Sequence, residues 1–136
     1  MKTRKAGAIR IGGGSGFLND RVDAALELVE RGNIDVLTLA ERTLALLHVA
    51  RRKGGKGYWE AFEGRLQTLL PVLAKRQTKL VTNAGGAAPV DCARMVARLA
   101  RERGIKLNVA AVTGDDVTEL VRASDPVLAE TREPVS

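Results

Sequence analysis

Three short runs of this sequence combine glycine with residues that can bind a ligand or move a proton. They lie at residues 12–16 (GGGSG), 83–86 (NAGG) and 113–116 (TGDD). Glycine-rich turns leave backbone N–H groups that can bind a phosphate, a carboxylate or an oxyanion. A carboxylate can act as a general base or hold a divalent cation, whereas an asparagine amide can orient a carbonyl or hydroxyl group. These three runs are therefore the candidate site.

Within and beside these runs we predict two groups of site residues. The predicted catalytic residues are Asn83, Asp115 and Asp116. The predicted ligand-binding residues are Gly13, Gly14, Ser15, Gly16, Glu41, Arg42, Thr82, Gly85 and Gly86. Glu41 and Arg42 are included because they follow a predicted strand, which would place them at the rim of the site. A charged pair at that position can also be an ordinary surface pair.

The first glycine run matches neither common nucleotide-binding fingerprint. No Gly-Lys-Ser/Thr follows it, and Phe17 occupies the place of the third glycine in the dinucleotide motif. Residues 12–16 can therefore bind an anion or form a tight turn without a ligand. Asp115 and Asp116 can hold a cation or a ribose hydroxyl, or they can cap a turn. The sequence assigns no cofactor and no particular metal.

Strands and helices alternate along the chain and must position these runs. Short apolar stretches predict strands at residues 8–11, 34–38, 80–82 and 107–112. Helical spacing of apolar residues predicts helices at 20–32, 39–53, 58–77 and 89–104, and a further segment without an assigned structure follows at 117–123. In a parallel sheet built from such units, the carboxyl ends of the strands share one edge, where ligands bind.

The predicted fold class is α/β, with a small open parallel sheet of about four strands, helices on both faces and a Rossmann-like arrangement. We expect the strand order 2-1-3-4, which puts the site between the first and third strands. Residues 1–123 are expected to form a single domain, followed by a tail or truncated continuation at 124–136. The last strand would leave an open edge, so we expect a homo-oligomer or a second chain to cover it.

Composition narrows the classes of function. The net charge is +6 and the pI about 10.0, but aromatic residues make up only 3% of the chain, which disfavours binding of single-stranded nucleic acid by base stacking. The basic ridge at Arg94, Arg98 and Arg101 is interpreted mainly as a solvated helix face. No apolar run reaches the roughly 18–20 residues of a membrane span.

The chain contains one cysteine, Cys92, and one histidine, His48. These counts exclude a disulfide framework and a Cys/His zinc cluster, and they favour a reducing, cytoplasmic compartment. Cys92 is interpreted as a buried structural thiol. His48 lies in the middle of a predicted helix, where a lone histidine is more often structural than catalytic, so it is not assigned to the site.

Six motifs, taken in order, resemble those of the acyclic terpene utilisation (AtuA-type) proteins. They are GSGF followed by DR, LAERTLAL, GY, LP, VTNAGGAAP and AAVTGDDV, spread over about residues 9–117. That family is tied to bacterial breakdown of acyclic terpenes such as citronellol and geraniol, which proceeds through CoA thioesters. The resemblance implies a metabolic enzyme domain or split subunit whose small-molecule ligand is a carboxylate or CoA-linked metabolite, with no particular reaction assigned.

Two departures from the family pattern bear on this interpretation. Family members usually have asparagine before the proline of VTNAGGAAP, where this chain has Ala88. They also continue for several hundred residues, so this chain is expected to be a fragment, a split subunit or a degenerate copy. The alternative is therefore a non-catalytic α/β module that binds a ligand or a partner.

Overall fold

The computed structural model describes residues 7–17, 20–40 and 44–135. In this part of the chain the elements are β1 (Ile11–Ser15), α1 (Val22–Arg31), β2 (Val36–Leu39), α2 (Leu44–Arg52), α3 (Phe62–Arg76), β3 (Lys79–Thr82), α4 (Pro89–Glu102) and α5 (Thr118–Ser124). The three strands are parallel and lie in the order β1-β2-β3. The α/β class and the small open parallel sheet are confirmed, whereas the expected order 2-1-3-4 is wrong.

The observed order determines where the helices lie. Both crossovers step in the same direction across the sheet, and right-handed crossovers of that kind place their helices on the same face. Accordingly α1, α3 and α4 share one core with Leu37 and Leu39 of β2. The expected reversal of direction after the second strand would have put helices on both faces. Among the described residues, the helices that bury side chains instead form a single layer.

The glycine run expected to form a loop is a strand. None of its glycines has a positive φ, and Gly12 and Gly14 face α1 at close range. A Cβ at Gly12 would lie 2.7 Å from Cδ2 of Leu28, and one at Gly14 would lie 2.7 Å from Cδ1 of Leu37. These glycines therefore allow helix α1 to approach the sheet. The strand predicted at residues 8–11 is wrong except for Ile11, because β1 is formed by Ile11–Ser15.

The core is built mainly from leucines. Its largest fully buried side chains are Phe62, Leu37, Leu39, Leu66, Leu69 and Leu70. Four of these six belong to α3, the long amphipathic helix, and each such side chain contributes about 1.5–3 kcal/mol when it is withdrawn from water. Helix α3 therefore contributes most of the large side chains of the core.

The chain before α3 is fixed to the loop after β3. Trp59 is buried beside Phe62, with ring centroids 6.5 Å apart, and both belong to the core. The backbone N–H of Trp59 donates to the carbonyl of Ala84 at 2.8 Å. This contact precedes the helix, which begins at Phe62 rather than at Tyr58. The hydrogen bond between Trp59 and Ala84 fixes the loop that leads into α4 against the core.

The predicted fourth strand is not confirmed. Residues 107–112 form neither strand nor helix, and Leu107 and Val112 are 44% and 90% exposed. The preceding turn is well defined, because Gly104 has a φ of +66° and the N–H of Ile105 donates to the carbonyl of Ala100. The expected division at residue 123 stays a prediction. None of the described helices has the length and apolar character needed to cross a bilayer.

Candidate functional site

A cleft of about 220 Å³ opens where β3 leads into α4. One wall is the loop and first turn of α4, a second is the side of α2, and the third is the loop at residues 113–116. The side chains that give it chemical character are those of His48, Arg51, Asp91, Asp115 and Asp116. The position agrees with the rule that ligands bind beyond the carboxyl ends of parallel strands.

The loop after β3 is held in place from both sides. At its start, the hydroxyl oxygen of Thr82 accepts a hydrogen bond from the N–H of Ala84 at 3.1 Å. At its end, the N–H of Ala87 donates to the carbonyl of Gly57 at 2.9 Å. The loop therefore presents a fixed backbone surface to the cleft.

Gly86 is the position where the loop meets α2. Its φ is +47°, and a Cβ there would lie 2.2 Å from Cδ1 of Leu47 and 3.0 Å from the carbonyl oxygen of Gly57. Only glycine combines the left-handed conformation with such a close approach at little cost. Gly86 lies in the cleft wall because its backbone allows this close approach, and its role as a site residue stays a prediction.

The first turn of α4 gives the cleft a positive end. Pro89 occupies the start of the helix, and the residue before it, Ala88, provides no side-chain cap. Pro89 has no N–H, so the N–H groups of the next two residues and the helix dipole provide the partial positive charge there. Such a terminus binds phosphate or carboxylate groups readily. Asp91, in the same turn, pairs with Arg94 at 2.9 Å.

Arg51 adds a full positive charge to the same region. Its Nη1 donates a hydrogen bond to the carbonyl of Ala87, and its aliphatic stem lies against Gly57. A guanidinium has five N–H donors, so this bond engages only part of its capacity. His48, one turn earlier on α2, lines the cleft as well. Two cationic or proton-carrying groups therefore face the N-terminus of α4.

The opposite wall carries the two adjacent aspartates. Oδ1 of Asp116 accepts hydrogen bonds from the hydroxyl of Thr118 at 2.6 Å and from its N–H at 3.1 Å. These bonds, with the nearby charges of His48 and Arg51, hold the pKa of Asp116 below its usual value. Asp116 therefore caps the turn that leads into α5, which is one of the two alternatives that the sequence left open. Asp115 lines the cleft beside it.

The structure brings some predicted site residues together and separates others. Gly86, Asp115 and Asp116 line the same cleft. Thr82, Asn83 and Gly85 lie at the end of β3 and in the loop leading to that cleft, but they are not part of its lining. Gly13, Gly14, Ser15 and Gly16 lie on or beside β1, which β2 separates from β3. Glu41 and Arg42 fall outside the described residues.

The backbone of the first glycine run is already engaged by the chain's own carboxylate. Oδ2 of Asp20 accepts hydrogen bonds from the N–H groups of Gly16, at 2.8 Å, and Phe17, at 3.0 Å. The bond from Gly16, with that from Phe17, lowers the pKa of Asp20. Ser15 directs its hydroxyl to the carbonyl of Ala40 at 3.4 Å. An internal anion thus occupies the amide of Gly16, one of those expected to bind an external anion, together with the amide of Phe17.

A comparison with protein-family models gives one match, to the family described as "Acyclic terpene utilisation family protein AtuA", over residues 9–135. The chain belongs to the acyclic terpene utilisation family. Neither the comparison with curated proteins nor that with solved structures gave a match. In this acyclic terpene utilisation protein, the VTNAGGAAP and AAVTGDDV motifs contribute two walls of the cleft, whereas GSGF lies at the end of β1.

Sequence reasoning missed His48 and Arg51. Their spacing of three residues places them on one side of a helix, and this was the available signal. It could not be used without knowing that this side of α2 faces the start of α4. The lone histidine of this acyclic terpene utilisation protein is thus exposed at the cleft rather than packed in the core.

Other candidate chemistry receives less support. Among the described residues there is no group of three potential ligands that could hold a metal ion. Arg98 of the basic ridge forms an ion pair with Glu63 at 3.0 Å, which reduces the charge available to a nucleic acid. Burial raises the pKa of the Cys92 thiol to about 11, so the interpretation of Cys92 as a buried structural residue is confirmed.

Proposed function

We propose that this protein binds the carboxylate or thioester end of a small metabolite in the cleft before α4, as an enzyme domain or split subunit of acyclic terpene catabolism. The observation that supports this most is the meeting of two family-type motifs with His48 and Arg51 around one cleft. Family membership provides the metabolic setting, and the residues of the cleft provide the chemical preference. A cytoplasmic location is part of the proposal and depends on the single cysteine.

The cleft favours an anionic or strongly polarised group at one end. A carboxylate or a thioester carbonyl placed against α4 would meet backbone N–H groups and the guanidinium of Arg51. Asp115 and Asp116 lie on the opposite wall and would repel a second anion. A ligand with one acidic or carbonyl end and an uncharged remainder therefore fits better than a dianion.

The volume limits how much of the ligand enters. Pockets that enclose a drug-sized ligand have volumes of about 300–1,000 Å³. The cleft, at about 220 Å³, is large enough for a carboxyl or thioester group and a few carbons. The nucleotide part of a CoA thioester would remain on the surface, where the net charge of +6 favours its phosphates. Only the reacting end would be enclosed.

The chemistry that these groups support is proton transfer. His48 and Asp115 lie on different walls of the cleft, so one could remove a proton from the ligand while the other donates one. The N–H groups of α4 would stabilise negative charge that develops on the carbonyl oxygen. Asp116 has a structural role, because its carboxylate accepts hydrogen bonds in the turn before α5. The overall reaction stays unassigned.

The single histidine makes a direct test possible. His48 is the only imidazole of the chain, so its two carbon-bound proton signals in an NMR spectrum report on the cleft without further labelling. We expect these signals to shift on titration with an acyclic terpenoid carboxylate and with its CoA thioester. The corresponding terpenoid alcohol, which lacks the negative charge, is the matched control and should shift them far less. Unchanged signals with both acidic ligands would disprove the proposed site.

A second candidate is a binding module without catalysis. It is favoured by the hydrogen bonds of Asp116, which commit one of the two predicted catalytic carboxylates to the turn before α5. Turnover measured for the wild type and for Asp115→Asn distinguishes the two. Ligand binding with no conversion in either protein supports the module, whereas conversion by the wild type that falls at least tenfold in Asp115→Asn supports the enzyme.

A further inference from the structure

The sheet has one exposed face. Two cross-strand rows form this face, which we call the open face: Ile11, Val36 and Lys79 in the first row, and Gly13, Thr38 and Val81 in the second. Ile11 and Val81 are 66% and 59% exposed. A Cβ added at Gly13 would meet nothing within 4 Å. The alternate residues of the same strands, such as Leu37 and Leu39, are buried against the helices.

An exposed face is unusual for a sheet of this type. Parallel sheets occur almost only with both faces covered, because the crossover connections place helices over them. In the described part of this chain, the helices that contain buried residues all belong to the core on the other face. Exposed β-branched apolar residues in adjacent rows are typical of a surface that another element covers. The open face therefore lacks one layer.

The same chain carries an apolar segment that lacks a place in the core. Helix α5 has no buried residue. The segment from residue 117 to residue 135, which we call the C-terminal segment, exposes Val117, Leu120, Val127, Leu128 and Val135 by 42–68%. Leu120 alone is 68% exposed. A surface without a cover and a segment without a core thus coexist in one chain.

Their charges are complementary. The C-terminal segment contains four acidic and two basic residues, a net charge of −2, so the rest of the chain carries +8. Lys79 places one of these positive charges directly on the open face, where it is exposed. An acidic, apolar segment is therefore electrostatically suited to a basic body with an apolar face.

We propose that the C-terminal segment of one copy covers the open face of a second copy, and that the exchange is reciprocal in a two-fold dimer. Asp116 lines the cleft beside α4, in the helix layer, and α5 begins two residues later. The segment therefore leaves the body on the helix side, whereas its own open face lies across the sheet. A reciprocal exchange between identical chains closes on itself and buries both surfaces at once.

The first test is the mass of the full chain in solution, by light scattering or sedimentation equilibrium. We expect a dimer for the wild type and a monomer for Val81→Asp and for Leu120→Asp, which place a charge in either half of the contact. Leu46→Asp is the matched control, because Leu46 is 50% exposed on α2 and lies outside both surfaces. A monomeric wild type at every soluble concentration, or a dimer that survives either of the first two substitutions, would overturn the proposal.

The second test does not depend on how well a single variant folds. In an equimolar mixture of Val81→Asp and Leu120→Asp chains, one of the two reciprocal contacts is intact, so we expect dimers to return. A protein with Val81→Cys and Leu120→Cys, treated with a short bismaleimide, should give a covalent dimer, and the buried Cys92 adds little background. Crosslinks confined to single chains would show that the segment covers its own sheet, which contradicts the exchange.

Discussion

Arg51 and Ala87 connect the two helices that form the cleft. Nη1 of Arg51, on α2, donates to the carbonyl of Ala87, in the loop before α4. The same loop receives support from Gly57, whose carbonyl accepts the N–H of Ala87 at 2.9 Å. The guanidinium is therefore held beside the first turn of α4 by the surface that a ligand would contact. One side chain therefore contributes to the order of this loop and, in the proposed function, to the binding of a ligand.

Arg51→Ala is expected to weaken binding of a carboxylate or thioester ligand by about 10- to 100-fold, since a charge-assisted hydrogen bond contributes about 1.5–3 kcal/mol. The exposed bond to Ala87 should contribute much less to folding, so the free energy of unfolding is expected to fall by no more than about 1 kcal/mol. Calorimetric titration and chemical denaturation measure the two effects separately.

Arg52→Ala is the control for this substitution. Arg52 is the next residue of α2 and is exposed, but it does not line the cleft. It removes the same charge from the protein, so any general loss of electrostatic attraction affects both variants equally. Equal losses of affinity in Arg51→Ala and Arg52→Ala would show that net charge, and not the cleft, determines binding.

Gly86→Ala is expected to destabilise the protein by about 1–3 kcal/mol, because the left-handed backbone and the contact with Leu47 both oppose a side chain. Gly64→Ala, in α3, is the matched comparison. A Cβ at Gly64 meets nothing within 4 Å, and replacing a helical glycine by alanine stabilises by about 0.5–1 kcal/mol. Urea denaturation should therefore give changes of opposite sign in the free energy of unfolding for the two variants. No change for Gly86→Ala would contradict the close approach of the loop to α2.

Substitutions at the glycines of β1 can show whether these glycines serve close packing or anion binding. Gly14→Ala should destabilise by about 1–3 kcal/mol, since its Cβ would lie within 3.0 Å of Leu37, Leu39 and Ala25. A Cβ at Gly13 meets nothing within 4 Å, so Gly13→Ala should stabilise by about 0.5–1 kcal/mol, as expected for a glycine inside a strand. If the run instead bound a ligand through its backbone, Gly13→Ala would reduce affinity, which calorimetric titration would detect.

The sequence predicted the class of fold because strand, turn and helix alternate with clear boundaries. It did not predict the strand order, because the residues of β1 and β3 do not show which of them lies beside β2. The run at 12–16 was misassigned for a physical reason: glycine is equally suited to a mobile turn and to a strand under a closely packed helix. Only the close contacts with Leu28 and Leu37, which are far away in sequence, show that the run is a strand and not a turn.

The candidate site was predictable in part. Asp115, Asp116 and Gly86 were chosen for their types and lie together in the cleft. His48 and Arg51 were not predicted as site residues, because they line the cleft only as a result of which side of α2 faces α4. That orientation depends on the contact between Leu47 and Gly86, and a single sequence gives no information about it.

Asp20 provides a prediction about pH. Hydrogen bonds from Gly16 and Phe17 lower its pKa in the folded protein, so the folded state favours the ionised carboxylate. A carboxyl group with a lowered pKa stabilises the folded protein at pH values above its unfolded pKa, near 3.9. That stabilisation is lost as the pH falls through the folded pKa. We therefore expect Asp20→Asn to lower the melting temperature at pH 7, with a difference that shrinks steadily below about pH 4. Melting curves of both proteins between neutral and strongly acidic pH measure this, and a difference independent of pH would show that the carboxylate charge does not hold the end of β1.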